Sequence, residues 1–212
     1  MADNSEKRDF KIKYSAEITF SEETVKRLCL TQYNTFQWKK KFSRFIVAVL
    51  FIIAGIILSG NRAISLCMIA VGCFLITSST LAPNQLARQV LKDFNGKFPI
   101  VHYYFGPEGI CLNKEGRDPF EYSEIIRLIE DKEFLYLYVG EMSAHMIDSS
   151  TIKGKDEKDG LKKYISAKTG LEWNPPLTVL NISLSNILKY RDYDKKHSRE
   201  PFTGERLPDY HE

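Results

Sequence analysis

What this sequence lacks most plainly is a catalytic signature. Its 212 residues contain no nucleophile elbow, no Walker loop, no His-Glu-x-x-His and no Gly-rich dinucleotide fingerprint, so the enzyme classes built on those local motifs have no foothold. The four histidines, His102, His145, His197 and His211, have no partner at metal-ligand spacing, which leaves no short zinc signature. Neither a metal nor a cofactor is expected. Cysteine is sparse too: Cys29, Cys67, Cys73 and Cys111 form no Cys-x-x-Cys pair and no secreted-style framework, pointing to a reducing compartment. Glu130, Asp131 and Glu133 are the nearest thing to an acid pair, and carboxylates crowded into a turn read as a solvated turn.

Charge is absent altogether from residues 45–58 and 63–81. These two apolar runs, separated by Ser59-Gly60-Asn61-Arg62, organise the chain. A bilayer core of about 30 Å needs roughly 20 apolar residues at ~1.5 Å rise each; the second run nearly supplies them, and the first does so by recruiting Phe42 and Ser43. A helix apolar on every side is either fully buried or in lipid, and this chain offers few other helices to surround two of them. The pattern predicts a transmembrane helical hairpin over residues 42–82. The overall averages, 27% charged residues and a mean hydropathy of −0.27, conceal it by mixing a greasy middle with polar flanks.

Residues 1–44 carry ten Lys/Arg against six Asp/Glu, whereas residues 82–212 carry nineteen against twenty-one. Basicity is therefore concentrated beside the first apolar run, a pattern unlike a nucleic-acid footprint. Lys39, Lys40, Lys41 and Arg44 precede that run, and Arg88, Lys92 and Lys97 follow the second, against a lone Arg62 in the turn. Positive flanks stay cytoplasmic, so both termini are expected on the cytoplasmic side of the membrane. The basic cluster reads first as a topology determinant and second as an attraction for anionic lipid. Within the spans, Ala48 and Gly55 of the first and Ser65, Gly72 and Cys73 of the second supply small faces through which helices approach closely in lipid. Hairpin packing or homo-oligomerisation is the role they suggest. No ionisable group lies between Phe45 and Leu81, which argues against a proton or ion pathway.

Taken in order, residues 1–41 form a cytoplasmic N-terminal segment, loose to Asp9, alternating as a strand over residues 10–20, then helical from a cap at Ser21. Ser21 is followed by Glu22 and Glu23, which suit the positive helix end. The apolar stripe through Val25, Leu28, Cys29, Gln32 and Phe36 can run on into the first span. Ala82-Pro83-Asn84 is expected to end the second span, and residues 83–97 to form a connector helix closed by Asn95-Gly96. Residues 98–171 then turn to β texture, with strands over 98–105, 110–113, 120–130, 134–139 and 144–148 in an antiparallel meander. A helix over residues 156–169 follows, stopped by Gly170. Residues 172–212 read as a linker, a further amphipathic helix over 177–188 and a mobile tail.

The fold class is thus α+β: a two-helix membrane hairpin plus a small antiparallel sheet or half-barrel capped by a C-terminal helix. Tyr122-Ser123-Glu124-Ile125, the Glu130 turn, the strand over 135–139 and the helix ending in Lys168-Thr169-Gly170 resemble the YcxB-like membrane proteins of bacteria. The resemblance spans residues 10 to about 171 and implies a cytosolic part similar to pleckstrin-homology (PH)-like domains. Where such proteins often carry a Pro-Lys pair, this chain has Ser149-Ser150. The expected function is non-enzymatic: a membrane-anchored PH-like module binding an unidentified protein or peptide partner. The alternative is an accessory subunit of a transporter or signalling complex, contacting its partner through the hairpin.

Overall fold

The computed structural model describes residues 10–58, 60–78, 81–113, 119–177, 188 and 190–192. Two compact units emerge. A β unit combines the segment ending at Phe20 with Phe98–Pro176, and a helical unit is built from Ser21–Lys97. The helical unit is therefore an insertion in the β unit's chain.

The β unit opens with β1 (Tyr14–Thr19), in which Tyr14, Ala16 and Ile18 are buried and the residues between them are not. The alternation read over residues 10–20 is real, but the paired part begins only at Tyr14. β1 pairs antiparallel with β2 (Ile100–Phe105), and β2 with β3 (Ile110–Leu112). The register couples Thr19 to Ile100, and the Phe20 N–H donates to the Pro99 carbonyl at 3.1 Å. Both ends of the insertion thus leave from the end of one antiparallel strand pair.

A second sheet runs β6-β5-β4-β7, with β4 Arg127–Glu130, β5 Phe134–Tyr138, β6 Ala144–Asp148 and β7 Trp173–Asn174. The single meander expected from sequence is therefore two sheets. Ser15 of β1 and Lys153 beyond β6 exchange backbone hydrogen bonds at 3.0 and 2.7 Å, and Ile110 and Phe120 do the same at 3.0 and 3.1 Å. The long strand expected over residues 120–130 is not continuous. Phe120 forms that isolated bridge, Tyr122–Glu124 is a turn of 3-10 helix, and pairing resumes only at Arg127. Glu121 and Glu124 fold the chain there: the Glu124 carboxylate accepts from the Glu121 N–H at 3.0 Å, a local bond that competes with strand pairing.

Helix α5 (Glu157–Thr169) buries Leu161 and Ile165, and Gly170 ends it at φ 70°. The interior is aromatic and aliphatic: Tyr103, Phe105, Tyr136 and Tyr138 are fully buried with Ile18, Leu128, Leu135 and Leu137. The start of the segment taken for a linker, residues 172–176, contributes β7, which lies parallel to β4 and makes this sheet mixed. The architecture is α+β, with small antiparallel and mixed sheets followed by a C-terminal helix.

The helical unit contains α1 (Glu22–Phe36), α2 (Trp38–Ile57), α3 (Arg62–Thr77) and α4 (Leu81–Asp93). Ser21 and Thr24 form a reciprocal capping box at the start of α1. α1 does not run straight into α2; the backbone breaks at Gln37 (φ −105°, ψ 16°). Asn61 caps α3 through its side chain, accepting from the Ile64 N–H at 3.4 Å. Pro83 does not terminate the second apolar run as expected. It sits in the first turn of α4, where a missing N–H costs nothing, and α3 has already ended at Thr77. Asn95 (φ 47°) and Gly96 (φ 75°) close the connector as the sequence suggests. The expected loose start at residues 1–9 and tail beyond 192 lie outside the described residues, as does nearly all of the helix expected over 177–188.

Candidate functional site

Among the described residues the helical unit has one stretch, Arg62–Asp93, long and apolar enough to cross a membrane; an 18-residue window within it has a mean hydropathy of 2.0 and is 6% buried. It contains α3 and α4. α2 does not reach the same standard, because any 18-residue window within it includes Lys40, Lys41 and Arg44. Its apolar side chains are nonetheless exposed: Phe45, Leu50, Ile53, Ile56 and Ile57 on α2, matched by Ile64, Leu66, Val71 and Phe74 on α3.

What α2 and α3 bury is small. Ala48 and Gly55 are the buried residues of α2, and Gly72 that of α3. The two helices use the same device in reverse. A Cβ on Gly55 would meet Ile69 at 2.8 Å and the Ser65 carbonyl at 3.0 Å; one on Gly72 would meet Ile52 at 2.6 Å and the Ala48 carbonyl at 2.8 Å. Each glycine therefore receives an isoleucine and a backbone oxygen of the other helix. The Ser65 hydroxyl donates to the Gly55 carbonyl at 2.6 Å, tying the pair at one level. Four of the five small residues named from sequence, Ala48, Gly55, Ser65 and Gly72, meet at this contact. Cys73 does not: it is exposed, one residue on from Gly72 and so about 100° around the helix.

The basic cluster is divided. Lys39, Lys40 and Arg44 line one open groove, whereas Lys41 turns to Asn34 and donates to its side-chain oxygen at 2.7 Å. The sequence shows four consecutive-looking cations; the break at Gln37 decides which of them meets α1.

In the β unit the outer edge of β4 is the feature with most binding character. Its inner edge is fully paired with β5, from Arg127 with Tyr138 to Glu130 with Leu135. Among the described residues its outer edge carries β7, through Leu128 with Trp173 and Ile129 with Asn174. Pro175 and Pro176 follow, and with no N–H to donate they cannot extend the ladder. The strand is pinned by its neighbours: the Trp173 indole N–H donates to the Lys162 carbonyl of α5 at 3.1 Å, and the Lys162 amine pairs with Glu130 of β4. Tyr190 donates to the Pro175 carbonyl at 2.5 Å, and its ring lies 5.3 Å from the guanidinium carbon of buried Arg127. No sequence signal marks a two-residue parallel pairing whose partners lie 45 positions apart.

The residues weighed for chemistry have structural work. Glu130 holds Lys162, and Asp131 accepts from the Glu133 and Phe134 N–H groups at 2.9 and 2.7 Å and from the Tyr136 hydroxyl at 2.9 Å. Tyr122 and Tyr164 both donate to the Gly106 carbonyl, at 2.9 and 2.8 Å, fastening α5 to the turn after β2. Burial raises the phenol of Tyr122 well above its ordinary range. Burial likewise pushes the Cys29 thiol up to about 11, so it is no thiolate at neutral pH. His102 lies 3.2 Å from Glu17. His145 is buried between the Phe120 ring, stacked at 4.7 Å, and the edge of Tyr103. Among the described residues no three His, Cys, Asp or Glu gather to hold a metal; His197 and His211 lie outside them.

Residues 105–165 match the family model of YcxB-like proteins. The match begins at the end of β2 and stops within α5, so it falls wholly inside the β unit and is narrower than the resemblance read from sequence. It covers the Gly106 turn, the 3-10 turn at Tyr122, β4 to β6 and most of α5. The helical unit, β1 and β7 stand outside it. No curated protein and no solved structure matches the chain.

Proposed function

We propose that the protein is a non-enzymatic integral membrane protein of the bacterial inner membrane, whose cytosolic PH-like β unit binds a protein or peptide partner. The observation that carries the binding half is the outer side of this sheet, where β7, only two residues long and parallel to β4, is the outermost strand among the described residues. An extended segment can add to such an edge through backbone hydrogen bonds, with alternate side chains supplying specificity. The Trp173–Lys162 and Tyr190–Pro175 hydrogen bonds hold β7 in place, so the edge it presents is ordered for pairing.

The anchoring half is supported by the outward apolar faces of α2 and α3 and by the register of β1 with β2. Thr19 and Ile100 are paired neighbours in one folded sheet, so the chain that leaves after Phe20 returns to the same place. A membrane-crossing insertion then crosses an even number of times. The α2–α3 hairpin with both termini cytoplasmic meets that requirement, whereas a single crossing does not. Positive flanks give the direction. The reading as an accessory subunit acting through the hairpin is less well supported, since Gly55 and Gly72 are already taken up by the hairpin's own contact.

The test is photocrosslinking in cells from exposed position 172 of the full chain. The partner bands obtained should weaken or change in Trp173→Ala and in Ile129→Pro variants that still accumulate in the membrane. An unchanged profile in both would refute binding at this edge.

A further inference from the structure

We infer that the groove lined by Lys39, Lys40, Ser43, Arg44, Val47 and Leu75 is a binding site for one anionic glycerophospholipid, its phosphate held by the cations and an acyl chain along the apolar wall. The inference rests on the proposed placement of α2 and α3 in a bilayer. The groove has a volume of about 570 Å³. Five of its residues come from α2 at positions i, i+1, i+4, i+5 and i+8, which is one helical face, and Leu75 comes from α3. The groove is graded along its length: two ammonium groups, a guanidinium and a hydroxyl at one end, two aliphatic side chains at the other. That gradient matches a lipid's own, from headgroup to chain.

Two further facts describe the charge around the groove. From Thr24 to Lys92 there is no Asp or Glu at all, against nine Lys or Arg, so this part of the chain brings no carboxylate of its own to the groove. Lys41, the fourth member of the cluster, is not part of the groove's lining and donates to Asn34, while Lys39, which is, also lies 5.7 Å over the Trp38 ring. A topology signal needs only positive charge on the proper side; it does not need three cations and a hydroxyl on one face beside an apolar wall. Arg44 can grip two phosphate oxygens at once, while the lysines act as point charges.

The test uses the full chain purified in a neutral detergent, with phosphatidylglycerol or phosphatidylcholine added to the micelles and retained lipid counted by native mass spectrometry. One phosphatidylglycerol should be retained in preference to phosphatidylcholine. Retention should fall about fivefold for each of Lys39→Gln, Lys40→Gln and Arg44→Gln, as expected for interactions of order one charge each. Lys41→Gln should change it less than twofold, and Val47→Ser together with Leu75→Ser should lower it with every charge kept. Millimolar glycerol 3-phosphate should not displace the lipid. Equal retention of the two lipids, or a Lys41→Gln loss matching that of Arg44→Gln, would overturn the site. Displacement by glycerol 3-phosphate would overturn its assignment to a lipid. A chain that stays in solution without detergent would instead overturn the membrane reading itself, whereas a chain that needs detergent but ignores phosphatidylglycerol overturns only this site.

Discussion

The two units bury opposite kinds of side chain. In the β unit the fully buried residues include Tyr103, Phe105, Tyr136, Tyr138 and Leu135, while in α2 and α3 the buried residues are Ala48, Gly55 and Gly72. Conversely Leu50, Ile56, Ile57, Leu66 and Phe74 of those two helices are exposed. Removing apolar surface from water contributes about 25 cal/mol per Å², so a unit that folds in water places its largest apolar groups inside. A helix pair surrounded by lipid gains nothing that way and is held by close backbone approach and interhelical hydrogen bonds. The contrast is what each arrangement says about its solvent, and it underlies the proposed membrane placement.

The sharpest way to break the contrast is one substitution made in both places. Leu135→Ala should destabilise the β unit by about 4 kcal/mol, as a cavity in a filled core does. Leu66→Ala, the same chemical change at an exposed site, should stay within about 0.5 kcal/mol. The chain has one tryptophan in each unit, Trp38 and Trp173, so denaturation followed in a Trp38→Phe background reports the β unit alone. A large loss in detergent for Leu66→Ala would refute the inverted packing.

Acid should separate the units next. Burial depresses the His145 imidazole from 6.5 to about 4, so the unfolded chain binds its proton first. Stability of the β unit should therefore fall as pH drops from about 6.5 to about 4 and level off below, by up to about 3 kcal/mol from this residue. His145→Phe should remove that slope, checked by urea unfolding at a series of pH values. The α2–α3 contact contains no titratable group among the residues that meet and should show no such step. A smaller effect, about 2 kcal/mol, is expected for Gly72→Leu, which forces Ile52 and the Ala48 carbonyl away. It should separate α2 from α3 in a spin-label distance measurement in detergent and leave Trp173 fluorescence unchanged.

How much of this was legible in the sequence follows from how local each feature is. The apolar runs, the alternation of β1, the Ser21 cap and the Gly170 stop are written in neighbouring residues, and they are where they were expected. The small residues at 48, 55 and 65 were legible because a helical period maps them onto faces, while Gly72 was read only as adjacent to the face assigned to Cys73. Cys73 was misplaced by the same argument, since one residue's shift turns it away. β7 was invisible because its pairing with β4 depends on residues far apart in the chain and on α5 holding Trp173. The break of the 120–130 strand was hidden because apolar alternation continued through it while Glu121 and Glu124 turned the backbone. Lys41 looked like its neighbours because only the bend at Gln37 brings Asn34 within its reach.

The central claim is that the insertion between β1 and β2 crosses a membrane and returns. Its most direct test is cysteine accessibility in intact spheroplasts, with Asn61→Cys in the α2–α3 turn and Glu172→Cys beside β7, each in a chain whose four native cysteines are replaced by serine. A membrane-impermeant maleimide should label position 61 from outside and position 172 only after lysis. Labelling of both positions only after lysis, with the chain recovered in the soluble fraction, would contradict the account.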